Sequence, residues 1–189
     1  LRSKMFESNV LNIISGNEKL AEFWGNSHGW APIEAADLMS KSRLDWQVSL
    51  SKTLLKWDFS QDCYDGELIL AWANLGALIE GTLKLFLSVY YKDYSNDVDK
   101  IISRGNQVDP DSMTLEKLKQ FIRKKDLFGK EWYPYIELIQ QRRNAIHAYK
   151  DRSIGDKGEF HESVEKYLLF MRCVNSYLPY PDGGYAPRF

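Results

Sequence analysis

The stretch Gly66-Glu67-Leu68-Ile69-Leu70-Ala71-Trp72-Ala73-Asn74-Leu75-Gly76-Ala77-Leu78-Ile79-Glu80 decides the fold class. Apolar residues follow one another here without the strict alternation of a half-buried strand, and they continue past Glu80 in Leu83, Leu85, Phe86 and Leu87. The pattern predicts a helix from about Gly66 to Tyr91. With almost no polar face it must be central, covered on most sides by other helices. It does not read as a membrane span, because the apolar run Leu68 to Ile79 is short of the roughly 20 residues a bilayer needs and is followed by Glu80 and Lys84.

Helical periodicity also governs the flanks. About Ser3 to Phe23 is a helix, or two short ones broken near Gly16-Asn17, followed by a loop from Gly25 to Trp30. Pro32 suits a first helical turn. From Ile33 to about Trp57 one long helix places Met39, Trp46, Leu50, Leu54 and Trp57 near one face, and Asp58 to Asp65 is the turn into the central helix. Tyr94 to Asp111 is polar and turn-rich, a loop carrying at most one short helix around Val98, Ile101 and Ile102. Thr114 caps a helix with Leu115, Leu118 and Ile122 inward and Lys117, Lys119, Arg123, Lys124 and Lys125 outward, a solvated face more readily than an RNA track. The next helix runs from Glu131 to about Tyr149, with Pro134 in its first turn and Trp132, Tyr135, Ile139 and Ile146 as its buried stripe. Beyond the loop Asp151 to Gly158, Phe160, Val164, Tyr167, Met171, Val174 and Leu178 recur at spacings of four and three, a packing seam. The tail from Pro179 to Tyr185 leaves helical geometry, and its tyrosines imply docking on the body or on a partner. The chain is therefore expected to be all-α and one domain, 1–189: a helical N-terminal extension over about 1–60, a bundle core over about 64–178 and a tail, 179–189.

Twenty-five Lys and Arg against 26 Asp and Glu leave a formal charge of −1. No overall basic excess advertises a nucleic acid, so any anion site must be a local concentration of charge. Cys63 and Cys173 lie far apart with no ligand at zinc-like spacing, which suggests neither a disulfide framework nor a metal site and favours a reducing, cytoplasmic setting. The first residues lead into Glu7, Asn9 and Asn12 rather than a secretory apolar run, and the missing initiator Met suggests a processed or trimmed chain.

The chemistry is concentrated late, in Gln141-Arg142-Arg143-Asn144-Ala145-Ile146-His147-Ala148-Tyr149. Arginine offers a permanently charged planar fork of donors for phosphate oxygens, and histidine can take and give protons near neutral pH. That inventory can hold and cleave a phosphodiester without a metal. On a continuous helix Arg143 and His147, four residues apart, are nearly superposed, whereas Arg142 and His147 diverge by about 140°. A helix loosening near Ala145 would let Arg142 swing toward His147. Glu80 would be costly if buried alone, so it is expected to pair with Arg142 or Arg143 or to line the same cleft. Plainer readings stand beside these: a His as a helix-dipole partner, arginines in salt bridges, Tyr149 in the core and Glu80 as a structural ion-pair partner. His28 and His161 have no visible partner constellation and receive no role.

The string Arg142 to Tyr149, late in a small all-α chain, resembles the R-x4-6-H signature of HEPN domains (higher eukaryotes and prokaryotes nucleotide-binding), many of which are metal-independent ribonucleases. The resemblance extends to the helix order from about Gly66 to Leu178. Arg142 satisfies the spacing. Arg143 is followed by Asn144, as the family's arginine is often followed by a polar residue, but lies too close to His147. Spacing thus selects Arg142, and helical geometry selects Arg143. Tyr149 extends the motif to R-x4-H-x-Y, a form seen in HEPN toxins whose tyrosine can be modified by a nucleotidyltransferase partner.

What the resemblance implies is an HEPN-like helical bundle with additional N-terminal helices, and a homodimer whose two motifs line one cleft. RNA would be cut by attack of its own 2′-hydroxyl, with His147 as general acid or base and Arg142 or Arg143 stabilising the phosphate. Asn144 would orient the imidazole or donate to phosphate, and Tyr149 and Glu80 would support. Dependence on the 2′-hydroxyl restricts the substrate to RNA. No cofactor or metal is called for, and a toxin or defence effector with an antitoxin partner fits. Two other readings stay open: a non-catalytic HEPN module that binds a nucleotide, RNA or a partner protein, and a plain helical interaction domain whose last helix is a dimer seam.

Overall fold

Periodic apolar residues become helices throughout the structure, a computed structural model that describes residues 2–147, 149–181 and 184–189. The fold is all-α. Among the described residues the helices are α1 (Arg2–Gly25), α2 (Ile33–Lys41), α3 (Leu44–Thr53), α4 (Tyr64–Val89), α5 (Tyr91–Asn96), α6 (Leu115–Lys124), α7 (Trp132–Arg143) and α8 (Lys157–Ser176).

Helix α4 is the axis. Leu68, Ala71, Trp72, Leu75, Leu78, Ile79 and Leu83 are sealed from water, and α2, α3, α6, α7 and α8 pack around them. At 26 residues the helix is long and apolar enough to cross a bilayer, so length does not argue against a span. Burial does, since 61% of its most apolar window lies inside the protein. Its buried Asn74 is satisfied by α3 and the residues that follow it. The Asn74 amide donates to Leu50 O (3.0 Å), and its oxygen accepts from Thr53 Oγ1 (2.8 Å) and Trp57 Nε1 (3.1 Å).

The seam of α8 is spent inside the chain: Phe160, Val164, Tyr167, Met171, Val174 and Leu178 are buried, with α1 and α4 as neighbours. Val10, Ile13, Leu20 and Trp24 of α1 join the same core, so the N-terminal helices are part of the bundle rather than an extension of it. Of the two alternatives for this segment, one helix or two short ones, α1 is the single helix, unbroken through Gly16-Asn17. The glycine is there for close approach: a Cβ on Gly16 would lie 2.6 Å from Phe189 Cδ2 and 2.8 Å from Met171 Cε. The tail therefore docks on the body. Tyr180 accepts from Trp24 Nε1 (3.2 Å) and donates to Asn175 Oδ1 (2.5 Å), while Lys19 and Asn175 hold the carbonyls of Arg188 and Pro187.

Other expectations are corrected. The long helix Ile33–Trp57 is broken after Lys41, where Ser42 turns extended (ψ 138°) and its hydroxyl caps Leu38 O (2.8 Å). The break re-aims α3, so Met39 and Leu54 are buried while Trp46 is 58% exposed beneath the Arg43 guanidinium. No helix forms around Val98–Ile102. A small antiparallel hairpin, β1 (Ile102–Ser103) and β2 (Asn106–Gln107), appears there instead, its Arg104-Gly105 turn having positive φ at both residues. Thr114 caps α6 by accepting from Lys117 N (3.4 Å). Lys119, expected outside, folds in between Glu116 (2.9 Å) and Glu137 (2.5 Å), and Lys124 and Lys125 pair with Asp99 and Asp97. Three of the five basic side chains are thus paired, while Lys117 and Arg123 have no ion-pair partner among the described residues.

Candidate functional site

Helix α7 reaches the motif packed on α4 and α6, with Tyr135, Ile136 and Ile139 buried and Tyr135 Oη donating to Ser163 O of α8 (2.7 Å). The α-helical geometry stops at Arg143. Asn144–Ile146 tightens into a 3-10 turn, and His147 (φ −84°, ψ 53°) leaves the helix with its N–H on Asn144 O (3.2 Å). This early end has three consequences. Ile146, expected in the buried stripe, is 45% exposed. Arg143 and His147 are not stacked on one continuous helix. Tyr149 is fully exposed rather than part of the core. Ala148, within the predicted helix, lies outside the described residues.

The chain is caught again at Ser153–Lys157. Trp72 Nε1 donates to Ile154 O (2.7 Å), the Lys157 N–H donates to Tyr64 Oη (2.8 Å), and Asp156 caps α8 by accepting from Glu159 N (2.9 Å). Gly155 adopts φ +67°, a left-handed turn that glycine makes at no steric cost. Tyr149, Lys150, Asp151 and Arg152 are therefore an exposed arc between two fixed ends.

The two arginines differ sharply. Arg142 has all three nitrogens engaged: Nε and Nη2 grip Glu159 (2.6 and 3.1 Å), and Nη1 donates to Ser153 O. Its side chain is only 13% exposed. Arg143 spends one nitrogen, Nη1, on Glu80 Oε2 (2.6 Å), while Lys84 holds the other Glu80 oxygen (2.9 Å). The Arg143 side chain is one-third exposed, and its Nε and Nη2 have no protein partner among the described residues. Its stem lies against the α4 backbone at Gly76, where a Cβ would come within 2.6 Å of Arg143 Cδ. Glu80, expected to pair with one of the two arginines, pairs with Arg143.

The Asn144 amide and the His147 imidazole make no hydrogen bond within the described residues; Asn144 is half-buried and His147 exposed. Of the six candidate residues, Arg142 is built into the scaffold. Arg143 is part strut and part free donor, Glu80 backs it, and Asn144, His147 and Tyr149 are available. The remaining histidines stand away from the motif: His28 bonds Asp37 (3.0 Å), a partner the sequence did not suggest, and His161 stacks on Phe6 at 4.0 Å.

Glu159, Ser153, Lys84 and Gly76 were not singled out from sequence. Two signals were present: Asp156-x-x-Glu159 has the capping-box pattern of a helix start, and a glycine inside an unbroken apolar helix marks close approach of a neighbour. No family model, curated protein or solved structure matches the chain.

Proposed function

We propose that the chain is an HEPN-like, metal-independent endoribonuclease in which Arg143, Asn144 and His147 meet the RNA and Arg142 holds their base in place. The observation that carries this reading is the division between adjacent arginines: Arg142 has every nitrogen engaged, whereas Arg143 keeps donors free beside an unpartnered amide and imidazole. His147 would take the proton of the 2′-hydroxyl as its oxygen attacks phosphorus, giving a 2′,3′-cyclic phosphate. The departing 5′-oxygen needs a proton from a second group, and one chain offers only one imidazole here. A second copy supplying its own His147 completes the reaction, which is why a homodimer belongs to the proposal. Arg143 donors would stabilise charge on the non-bridging oxygens. Tyr149 stands ready to stack a base or to be modified by a nucleotidyltransferase or covered by an antitoxin, as a cytoplasmic toxin or defence effector would require.

The test is incubation with single-stranded RNA in EDTA. Cleavage leaving cyclic phosphate ends is expected, DNA is spared, and His147→Ala and Arg143→Ala each lower the rate by about 10²–10⁴-fold. Loss of cleavage in chelator, or its survival in His147→Ala, overturns the proposal. The rival is a non-catalytic helical module, favoured by the ion pairs that already tie both arginines to α4 and α8. It predicts no cleavage by the parent chain, with thermal stabilisation by a nucleotide if that is what it binds.

A further inference from the structure

A second place has the make-up of a ligand site, at the end of α8 remote from the motif. The end of α1, the loop after it and the tail enclose an open cleft of ≈ 660 Å³, walled by Phe23, Trp30 and Tyr185 and edged by Lys19, Glu22 and Arg188. That volume is within the range of small-molecule sites, about 300–1,000 Å³. Trp30 and Tyr185 leave 47% and 61% of their surface to water, so both rings offer apolar area to a ligand. Trp30 is nevertheless held: its indole N–H donates to Asn26 O (3.1 Å), and Phe23 packs edge-on at 5.2 Å, itself backed by Tyr180 at 5.0 Å. Lys19 is fixed at the rim by Arg188 O (2.6 Å) and retains further donors. The Glu22 carboxylate and the Arg188 guanidinium have no partner among the described residues.

Charge decides the ligand class. Aromatic walls alone would suit a quaternary ammonium, but among the described lining residues two cations, Lys19 and Arg188, stand against one carboxylate, Glu22, and repel one. The surplus favours an anion that carries a flat ring. We propose that this cleft binds a nucleotide, its base stacked on Trp30 and Tyr185, its phosphate held by Lys19 and Arg188, and Glu22 accepting from a base amine. From Glu159, which holds Arg142, to Asn175, which anchors the tail, α8 advances about 24 Å at 1.5 Å per residue. A nucleotide bound here is not the one that meets His147, and the proposal stands whether or not the chain cleaves RNA.

Calorimetric titration of the full chain with AMP and UMP tests it. Saturable binding at one site per chain is expected, with adenosine and inorganic phosphate each about tenfold weaker or more. Trp30→Ala and Lys19→Glu should each weaken AMP by about tenfold, as loss of a stacked ring or phosphate contact does, while His147→Ala should leave it unchanged. Both substituted side chains are at the surface, and Tyr185→Ala is a third variant should either melt early. An uncleavable 2′-O-methyl octanucleotide separates the sources: binding tighter than AMP and weakened by Trp30→Ala identifies a strand in this cleft, and binding equal to AMP and weakened by the same variant a free nucleotide. Absence of saturable AMP and UMP binding, indifference to Trp30→Ala and Lys19→Glu, or loss through His147→Ala overturns the proposal. None of those results bears on cleavage in EDTA, which tests the motif separately.

Discussion

Replacing Arg142 with alanine tests whether this arginine is a strut rather than a phosphate ligand. The substitution removes two charged hydrogen bonds to Glu159 and one to Ser153 O. Buried pairs broken on one side lose about 3–5 kcal/mol and exposed pairs about 0–1. Arg142 is nearly buried, but Glu159 is 35% exposed and can rehydrate. The expected loss is therefore intermediate, about 2 kcal/mol. For a chain of this length that lowers the melting temperature by about 4–8 °C.

The assay is thermal melting by circular dichroism with urea titration, in a cycle with Glu159→Gln. A coupling of about 1–2 kcal/mol is expected between the two positions. Arg142→Lys should restore little, because an ammonium cannot reproduce the two-pronged grip. If Arg142→Ala melts within about 1 °C of the parent, or shows no coupling to Glu159, the strut is refuted. If it also abolishes cleavage, the spacing rule was right and Arg142 is the phosphate ligand.

Two further outcomes follow from contacts outside that pair. Gly76→Val drives a branched side chain into the Arg143 stem, so a loss of about 1–3 kcal/mol is expected in urea titration. Gly76→Ala should lose less, because the gain in helix propensity, about 1 kcal/mol, offsets part of the strain; a valine variant as stable as the parent would show that α4 and α7 do not meet there. At His161, burial lowers the imidazole pKa, with Lys157 adding repulsion, so the folded chain prefers the neutral ring stacked on Phe6. Below about pH 6.5 the unfolded chain takes the proton first, and stability falls as pH drops from there toward the depressed folded value. Urea midpoints at about pH 7.5 and about pH 5.5 should therefore differ more for the parent than for His161→Gln; equal differences would remove the effect.

The central helix was legible because an apolar pattern with no polar face leaves only one place in a bundle. The α8 seam was legible for a related reason: six residues at spacings of four and three must face a neighbour. That the neighbours are α1 and α4 of the same chain depends on the path of α1, which no local pattern encodes. Helix ends were the weak point. Periodicity continues across Ser42 and across Asn144, yet the chain turns at both, and each turn moved an aromatic or aliphatic side chain, Trp46 or Ile146, from the expected core to the surface. At Gly16 the sequence leaves both a break and a continuous helix open, because a glycine signals either a break or a close approach, and Phe189, which decides between them, is remote in sequence. The spacing of the arginine motif was likewise blind to Glu159, which occupies the arginine that spacing selects.

Why two adjacent arginines should divide their work follows from helix geometry. Neighbouring residues point about 100° apart, so Arg142 and Arg143 cannot serve the same partner, and on α7 they reach α8 and α4 respectively. The pair fixes the last α-helical turn from two sides, directly before the chain leaves it at Asn144. A proton-transfer group needs a rigid base, yet its own ring must stay free for the substrate. His147 would meet both demands, standing one short turn beyond the two staples, its backbone held by Asn144 O and its ring without a hydrogen bond among the described residues. The mutational orders should therefore cross. For cleavage, His147→Ala and Arg143→Ala should be far worse than Arg142→Ala, which acts only by loosening the turn. For stability, Arg142→Ala should be worst and His147→Ala nearly neutral, because Glu80 keeps Lys84 when Arg143 is removed and His147 gives up no contact. A purely structural motif would instead give a single order, with every functional change tracking the loss of stability.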